Sequence, residues 1–562
     1  MDSFRKFLSK SNWSFIYCLP LAFAFAAAPA YIEEGSFQAT LSYFLTVCLY
    51  FIGFMLADYA ARALIRRYVG KNLSLQSHSV VDRLMKKRLS VLLLAVIILL
   101  CWLPSLIALY PGSVINDTWG QLKQYLDFES GIPALYDHHP VTSTLTIGWI
   151  IISLQKVLYD WHLCFFIYVM IQAFLTSLAF ACSIRYAYMN LKIGRNAAIL
   201  MLVLFCILPI YPPSIQTISK DALSAWAFVL FAILFMEGVR SEGQVLSSWK
   251  YLAGLTITAL FCSLTKKVNP YVTLLSLLVM FLFIRHKRFF LCIPIASVAL
   301  VMFVLMPKLF AAHGVEPGGK QEMFSIPFQM TARYAMEHPD DYTPEETRAI
   351  DNLLGLSDLA ERYNPVCADD VKGYWELGGP EQYRQYMRAW YTQGLRHPGT
   401  YIQALNAMLA GWFSFEEYDP TMDMGAHSQL NGDYFLEYIT YRDEPFDASA
   451  EFYQDMYHGL YNIPVLNIII TYGLYAILIP MFSLWTAITQ KCGKGKHYWL
   501  ALCPMFASLF LGCFLAPVSI YGEGRRYLYP LTYTMPLMIA WCIYIYRQSA
   551  IYHKTQEHKM PL

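Results

Sequence analysis

"VTSTLTIGWIIISLQKVL", residues 141–158, has the length and apolarity of a membrane span, yet Thr142, Thr144, Thr146, Gln155 and Lys156 give it a polar edge. Such an edge suits a helix lying along the membrane interface. Whether this stretch crosses decides the direction of everything after it. Spans need about 20 apolar residues, and twelve other runs qualify: 13–31, 40–64, 89–110, 161–185, 196–211, 222–238, 251–266, 268–284, 289–310, 463–486, 498–518 and 527–546. Short loops rich in Lys and Arg mark the cytoplasmic side. Five qualify: "RKFLSK" at the start, 66–88, "RYAYMNLKIGR" at 185–195, "RHKR" at 285–288 and "QKCGKGKH" at 490–497. If 141–158 crossed, 185–195 and every later basic loop would lie outside. If it lies on the outer surface, all five fall inside. Twelve spans with both termini cytoplasmic is the consistent expectation. The alternative is a thirteenth span with one mis-signed loop. The run at 13–31 lacks a small-x-small exit and reads as a retained signal-anchor span.

Composition agrees with a membrane body. Of 562 residues 57% are hydrophobic and 15% charged, well under the roughly 25% charged residues of a soluble domain. The net charge of +2 conceals a division. Residues 311–462 hold 25 Asp and Glu against 9 Lys and Arg, whereas the rest holds 15 acidic and 33 basic residues. An acidic hydrophilic domain is therefore set into a basic-flanked membrane body. Only Cys367 of 13 cysteines lies in that domain, so no disulfide can form within it. Its sequence reads as mostly helical: "TPEETRAIDNLLGL" starts at Thr343 as N-cap with acids in the first turn, and 379–413 is a long periodic stretch. No nucleotide-binding loop, CxxC pair, HExxH or internal repeat of transporter type is evident, and nothing points to nucleic acid.

On this topology the unusual residues gather outside. The loop "SVINDTWGQLKQYLDFESGIPALYDHHPVTS", residues 113–143, is far longer than a connection needs. Its interleaved aromatics argue against disorder, which leaves function. Further external segments are 212–221, the bend "TKKVNP" at 265–270, and "SIYGEGRRY" at 519–527. They carry Lys220, Lys266, Lys267, Arg525 and Arg526 against the usual charge bias. Pairing with the acidic domain or snorkelling to headgroups is the plainer explanation. A site for a phosphate carried by lipid is the sharper one.

Several of these features resemble the GT-C superfamily of membrane glycosyltransferases, which includes protein O-mannosyltransferases and lipid A aminoarabinose transferases. The likeness rests on an acid early in the first external loop (Asp117), "HHPV" at 138–141, "SKDALSAWAFVLF" at 219–231 and "RRYLYPLTYTMPL" at 525–537, in that order. It covers the topology of roughly 89–310 plus these motifs. With "IPFQMTARY" at 326–334, the whole chain is most similar to bacterial multi-pass proteins of unassigned function. The resemblance implies a sugar donor on polyprenyl phosphate and a cell-envelope glycan, glycolipid or protein as acceptor, in a bacterial cell membrane. Where many relatives carry paired acids this chain has Asn116-Asp117, which weakens the case for a divalent metal; no cofactor is expected.

Sugar transfer from a phosphate needs a base at the acceptor hydroxyl and cations at the leaving group. Partial desolvation at the loop should raise the Asp117 pKa above about 4 and improve it as the base. A single carboxylate implies single displacement and inversion, since a leaving phosphate needs no second acid. Lys220, Lys266, Lys267, Arg525 and Arg526 would bind the donor phosphate. His139, Asp221 and Glu523 would support the site or orient acceptor, Glu523 by holding Arg525 or Arg526. Alternatives stay open: Asp117 as helix N-cap, Asp221 as a cap or partner of Lys220, and zinc at Asp137, His138 and His139. Trp119, Tyr125, Trp375, Trp390 and Trp412 suit sugar stacking or an interfacial aromatic belt.

The expected architecture is an all-α polytopic membrane protein of GT-C type. It comprises an N-terminal two-span extension (1–88), a catalytic membrane module (89–310) with surface helices in loop 111–160, an external domain (311–462) and a C-terminal three-span module (463–562). The rival functions are a lipid-linked glycan polymerase or ligase, and a lipid-linked sugar transporter. Transport would want charges buried midway along spans, and these runs look almost free of them.

Overall fold

A computed structural model describes residues 13–72, 83, 85–87, 89–132, 135–319, 321–372, 379–415, 446–490, 492–493, 496–515 and 524–557. The chain is an all-α polytopic membrane protein. Its helices are α1 (Phe15–Glu34), α2 (Leu41–Asn72), α3 (Leu89–Ala108), α4 (Asn116–Glu129), α5 (Val141–Leu158), α6 (Trp161–Met189), α7 (Arg195–Ile207), α8 (Lys220–Arg240), α9 (Trp249–Thr265), α10 (Asn269–Phe283) and α11 (Arg288–Ala312). They continue with α12 (Ser325–Glu337), α13 (Pro344–Leu354), α14 (Pro380–Arg396), α15 (Pro398–Leu409), α16 (Phe446–Tyr461), α17 (Leu474–Thr489), α18 (Tyr498–Phe514) and α19 (Tyr529–Glu557). Eight helices of the described residues are long and apolar enough to cross a membrane, α5 among them. Of the twelve expected runs, seven fall on the other long helices, four on the shorter apolar helices α7, α10, α17 and α18, and 251–266 on α9, of 17 residues.

The centre of the bundle is α8 with α19. Phe228, Phe231 and Phe235 of α8 are wholly buried, and α19 packs along it with Trp541 and Leu537. The C-terminal helices thus share one core with those of 89–310. Lipid-facing helices such as α2 and α11 keep most of their apolar surface outward, as a bilayer solvent permits. The expectation that spans carry almost no buried charge is corrected by α2. There Asp58 and Arg62, one turn apart, are buried. Asp58 accepts from Ser14 Oγ (2.6 Å), Tyr17 OH (2.6 Å) and Arg62 Nε (2.8 Å), and Arg62 Nη1 reaches Tyr546 OH of α19 at 3.2 Å. Out of water such a pair persists only because nearly every polar atom is bonded.

The hydrophilic region is helical where described, with its own core of Phe328, Ile350, Leu353, Leu354 and Tyr386. Thr343 caps α13 through a capping box with Glu346, as its sequence indicates. The periodic stretch 379–413 is broken at Pro398 into α14 and α15. A short repeat hidden in the sequence organises this region: "HPDDY" at 338–342 and "HPGTY" at 397–401. Each histidine bonds the residue three places along in the other motif, His338 Nε2 to Thr400 Oγ1 and His397 Nε2 to Asp341 Oδ2, both at 3.0 Å. The two rings stack at 3.7 Å between centroids. Helix partners are exchanged in the same sense, α12 packing on α15 and α13 on α14. This region leans on α1: Asn406 Nδ2 donates to Tyr31 OH and Phe37 N to Gln403 Oε1, each at 3.1 Å.

Two short parallel ladders interrupt the helices. β1 (Ser113–Val114) pairs with β3 (Thr217–Ile218), and β2 (Tyr136–Asp137) pairs with β4 (Glu316–Pro317).

Candidate active site

The β1–β3 ladder builds the site. Its register sets "SVINDT" (113–118) against "TISKDA" (217–222), so that two strands run side by side into the first turns of two helices. Asp117 and Asp221 occupy equivalent places in those turns. The ladder is pinned from several sides. Ser113 N donates to Gln216 Oε1 at 2.6 Å, Gln216 Nε2 returns to Ser113 Oγ at 2.9 Å, and Thr118 Oγ1 donates to Ile218 O at 2.6 Å. From α6, Gln172 Nε2 bonds the carbonyls of Ile215 and Thr217. Gly112 stands where the chain leaves α3 with φ +107°, and a Cβ there would press on Val169 and the Gln216 carbonyl at 2.6 and 2.9 Å. Only glycine fits both constraints.

Neither acid caps its helix. Ile115 holds the N-cap place of α4 with no side-chain bond, and Ser219 caps α8 by accepting from Ala222 N at 3.1 Å. Both carboxylates are left for other partners. The Asp117 carboxylate accepts from Lys220 Nζ and from Arg526 Nη1, the latter at 2.7 Å. Lys220 therefore pairs with Asp117 and not with its neighbour Asp221. Asp221 pairs instead with Lys266 Nζ at 2.6 Å, both side chains being buried. Its Oδ2 has no hydrogen-bond partner among the described residues. Lys266 also lies over the Tyr527 ring at 5.3 Å, next to Arg526.

His139 Nε2 lies 3.8 Å from Asp117 Oδ1, beyond hydrogen-bond length. Burial, with Lys220 close by, pushes the His139 pKa down to about 3, so the ring is neutral at physiological pH and the contact is not an ion pair. The Asp117 pKa departs from expectation. Burial alone would raise it, but the charges of Lys220 and Arg526 outweigh burial and hold it well below the usual carboxylate range. Asp117 is thus a firmly ionised counter-ion and a weak base.

The remaining candidates divide. Lys267 is drawn away to the second ladder, where its Nζ bonds the Asp137 carbonyl and lies 3.3 Å from Asp137 Oδ2. Glu523 and the Arg525 side chain lie outside the described residues. Among the aromatics, Trp119, Tyr125 and Trp412 are buried in the protein core. Trp390 packs on Tyr401, and Trp375 lies outside the described residues. Gln216 and Gln172, which fix the ladder, escaped the sequence reading. The likeness of "SVINDT" to "TISKDA" signals the ladder, but Gln172 on α6 leaves no such mark in the sequence. Chemically, the described site sets three cations and two carboxylates around two adjoining helix N-termini, a net positive field suited to an anion.

A family model described as "Family of unknown function (DUF6020)" matches residues 6–558. No curated protein and no solved structure matches the chain.

Proposed function

We propose that this chain, which belongs to the DUF6020 family of unknown function, is an inverting GT-C-type membrane glycosyltransferase using a polyprenyl-phosphate sugar. Its acceptor would be an envelope glycan, glycolipid or protein on the outer side. The observation that carries the reading is the convergence of Lys220 and Arg526 on Asp117 where two helix N-termini meet. Twelve crossings, cytoplasmic termini, α5 along the outer surface and the acidic domain outside complete the arrangement.

In this mechanism the donor's phosphate displaces the Asp117 carboxylate from Lys220 and Arg526. Arg can offer a phosphate two parallel charge-assisted bonds, and Lys a compact charge. Once those cations are engaged, Asp117 faces the acceptor with less positive charge beside it, and its affinity for a proton rises. The acceptor oxygen then attacks the anomeric carbon as Asp117 takes its proton. The bond from that carbon to the phosphate oxygen breaks, and the phosphate leaves with the electron pair. Attack opposite the leaving group inverts the centre. Neutral His139, beside Asp117 Oδ1, fills the flank of the carboxylate without competing as a cation, and Asp221–Lys266 fixes the second helix turn.

The test is transfer by purified protein from a panel of short-chain polyprenyl-phosphate sugars, with pyrophosphate-linked oligosaccharides in parallel. Turnover of a monophosphate donor that falls in Arg526→Lys and Lys220→Ala supports the proposal. Turnover of the pyrophosphate donors alone would make the chain a glycan polymerase or ligase, and donor binding indifferent to both substitutions would remove the phosphate site.

A further inference from the structure

The second ladder lies beside the site and has no part in the chemistry above. β4 leaves α11 through Gly314, at φ +67°, and runs parallel to β2 for two residues. Glu316 N donates to Leu135 O at 3.1 Å, and Gly319 N to Tyr136 OH at 3.0 Å. A Cβ on Gly318 would overlap the Asp137 carbonyl oxygen and crowd Lys267 Nζ, so the close approach is built for glycine. Lys267 closes the arrangement from α10's leading bend, bonding the Asp137 carbonyl and carboxylate. On the other side of Asp137 the chain passes through His138 to His139, which flanks Asp117. His138 stacks parallel to Tyr136 at 5.9 Å and packs edge-on to His139 at 4.5 Å.

We propose that residues 313–319 are a strap across the rim of the Asp117 site, held on the β2 strand that Lys267 steadies, and that release of this strap admits the acceptor. The proposal rests on the transferase reading for its acceptor and on geometry alone for its latch. The fastening is weak by construction. It consists of a two-residue ladder and one tyrosine hydroxyl, on a partner strand steadied by a lysine whose side chain is 47% exposed. Segments held by so few bonds open locally far below global unfolding. The strap is continuous with the hydrophilic helices, because the chain runs through 321–324 directly into α12. Lys372 Nζ holds Glu322 at 2.5 Å just beyond it. Opening therefore moves residues 314–319 and leaves the Lys372-held Glu322 in place. Lys267 is here a positioning residue: it touches the strap's partner strand and sets the Asp137–His139 turn, and it does not reach Asp117.

Two measurements on the full chain test this. Amide hydrogen exchange in peptides covering 313–319 should quicken on the order of three- to tenfold in Lys267→Met and return toward the parent rate in Lys267→Arg. Exchange unchanged in Lys267→Met would overturn the latch. The second uses Tyr136→Cys with Glu316→Cys, which face one another in register, in a background without other reactive cysteines. Oxidised, this variant should bind donor as the parent does yet lose transfer to acceptor at least tenfold, and reduction should restore it. Undiminished transfer with the strap locked would overturn the gate. A parent that transfers no sugar at all would sink the transferase reading, and the exchange measurement would still decide the latch.

Discussion

Replacing Asp117 by Asn should move two measurements in opposite directions. The carboxylate holds Arg526 Nη1 at 2.7 Å and Lys220 Nζ. Asn cannot accept the acceptor's proton, and general-base assistance is worth about 10²–10⁴ in rate, so turnover should fall by that factor. The same change frees two cations for the donor phosphate. Charge-assisted bonds contribute about 1.5–3 kcal/mol each, and most of that is already spent holding a competing carboxylate. A net gain of about 1–2 kcal/mol, or about five- to thirtyfold tighter donor binding, follows. Folding should suffer, because Arg526 and Lys220 are mostly buried and lose their counter-charge at a cost of about 1–3 kcal/mol. Titration of purified protein with a short-chain polyprenyl-phosphate sugar, alongside transfer and thermal unfolding, reads all three. Weaker donor binding with transfer within about threefold of the parent would refute the reasoning, since the carboxylate would then be a donor ligand and not a base.

Other consequences follow from the same contacts. The Asp117 carboxyl is held lower in the folded chain than in the unfolded one. Its contribution to stability should be whole above about pH 5 and decline as pH falls through the ordinary carboxylate range and below. With His139 pushed down to about 3 as well, kcat/KM, which reports the free enzyme, should show no acid limb between about pH 5 and 8 that either residue causes; a limb there abolished by His139→Gln would contradict the assignment. Breaking the buried pair in α2 by Asp58→Leu or Arg62→Leu alone should cost about 3–5 kcal/mol, and the double substitution less than the sum; strictly additive losses in detergent unfolding would show that the two charges are uncoupled. For sidedness, single cysteines at Tyr159 and Lys192 should label differently in intact cells, Tyr159 reacting with an impermeant thiol reagent and Lys192 protected. The reverse pattern would make α5 a true span.

Helix positions were legible because a bilayer solvent demands length and apolarity, and both show in any window of sequence. The Thr343 cap was legible because a capping box is closed within four residues. Pairing was not. Lys220 and Asp221 are adjacent in sequence, which invites pairing them, but neighbours on a helix point about 100° apart. The β1–β3 register brings Asp117 beside Lys220 instead, and the segment carrying Arg526 arrives from the far end of the chain. The Asp117 pKa was misjudged for the same reason: burial is local and can be guessed, whereas its cations come from distant segments. Asp58 and Arg62 stand at helical i, i+4 spacing and were in principle visible. They vanish in a hydropathy average because the surrounding residues of α2 are so apolar.

The site's economy lies in using one turn twice. "SVINDT" and "TISKDA" place two helix N-termini side by side, each with an acid in its first turn. Each terminus carries about half a positive charge, which favours an ionised carboxylate and, in the proposed transferase, an anionic ligand. The differing residue decides the roles. Asn116 stands where Lys220 stands in the second copy, so only one turn contributes a cation, and that cation reaches across to the other turn's acid. Asp221, with Lys266 buried against it, is left as the fixed partner, while Asp117, on a shared and partly open pair of cations, is the one a phosphate can release. In the proposed transferase, a proton acceptor restrained until the leaving group is bound would not waste itself on water. On the proposed mechanism, donor should bind before acceptor.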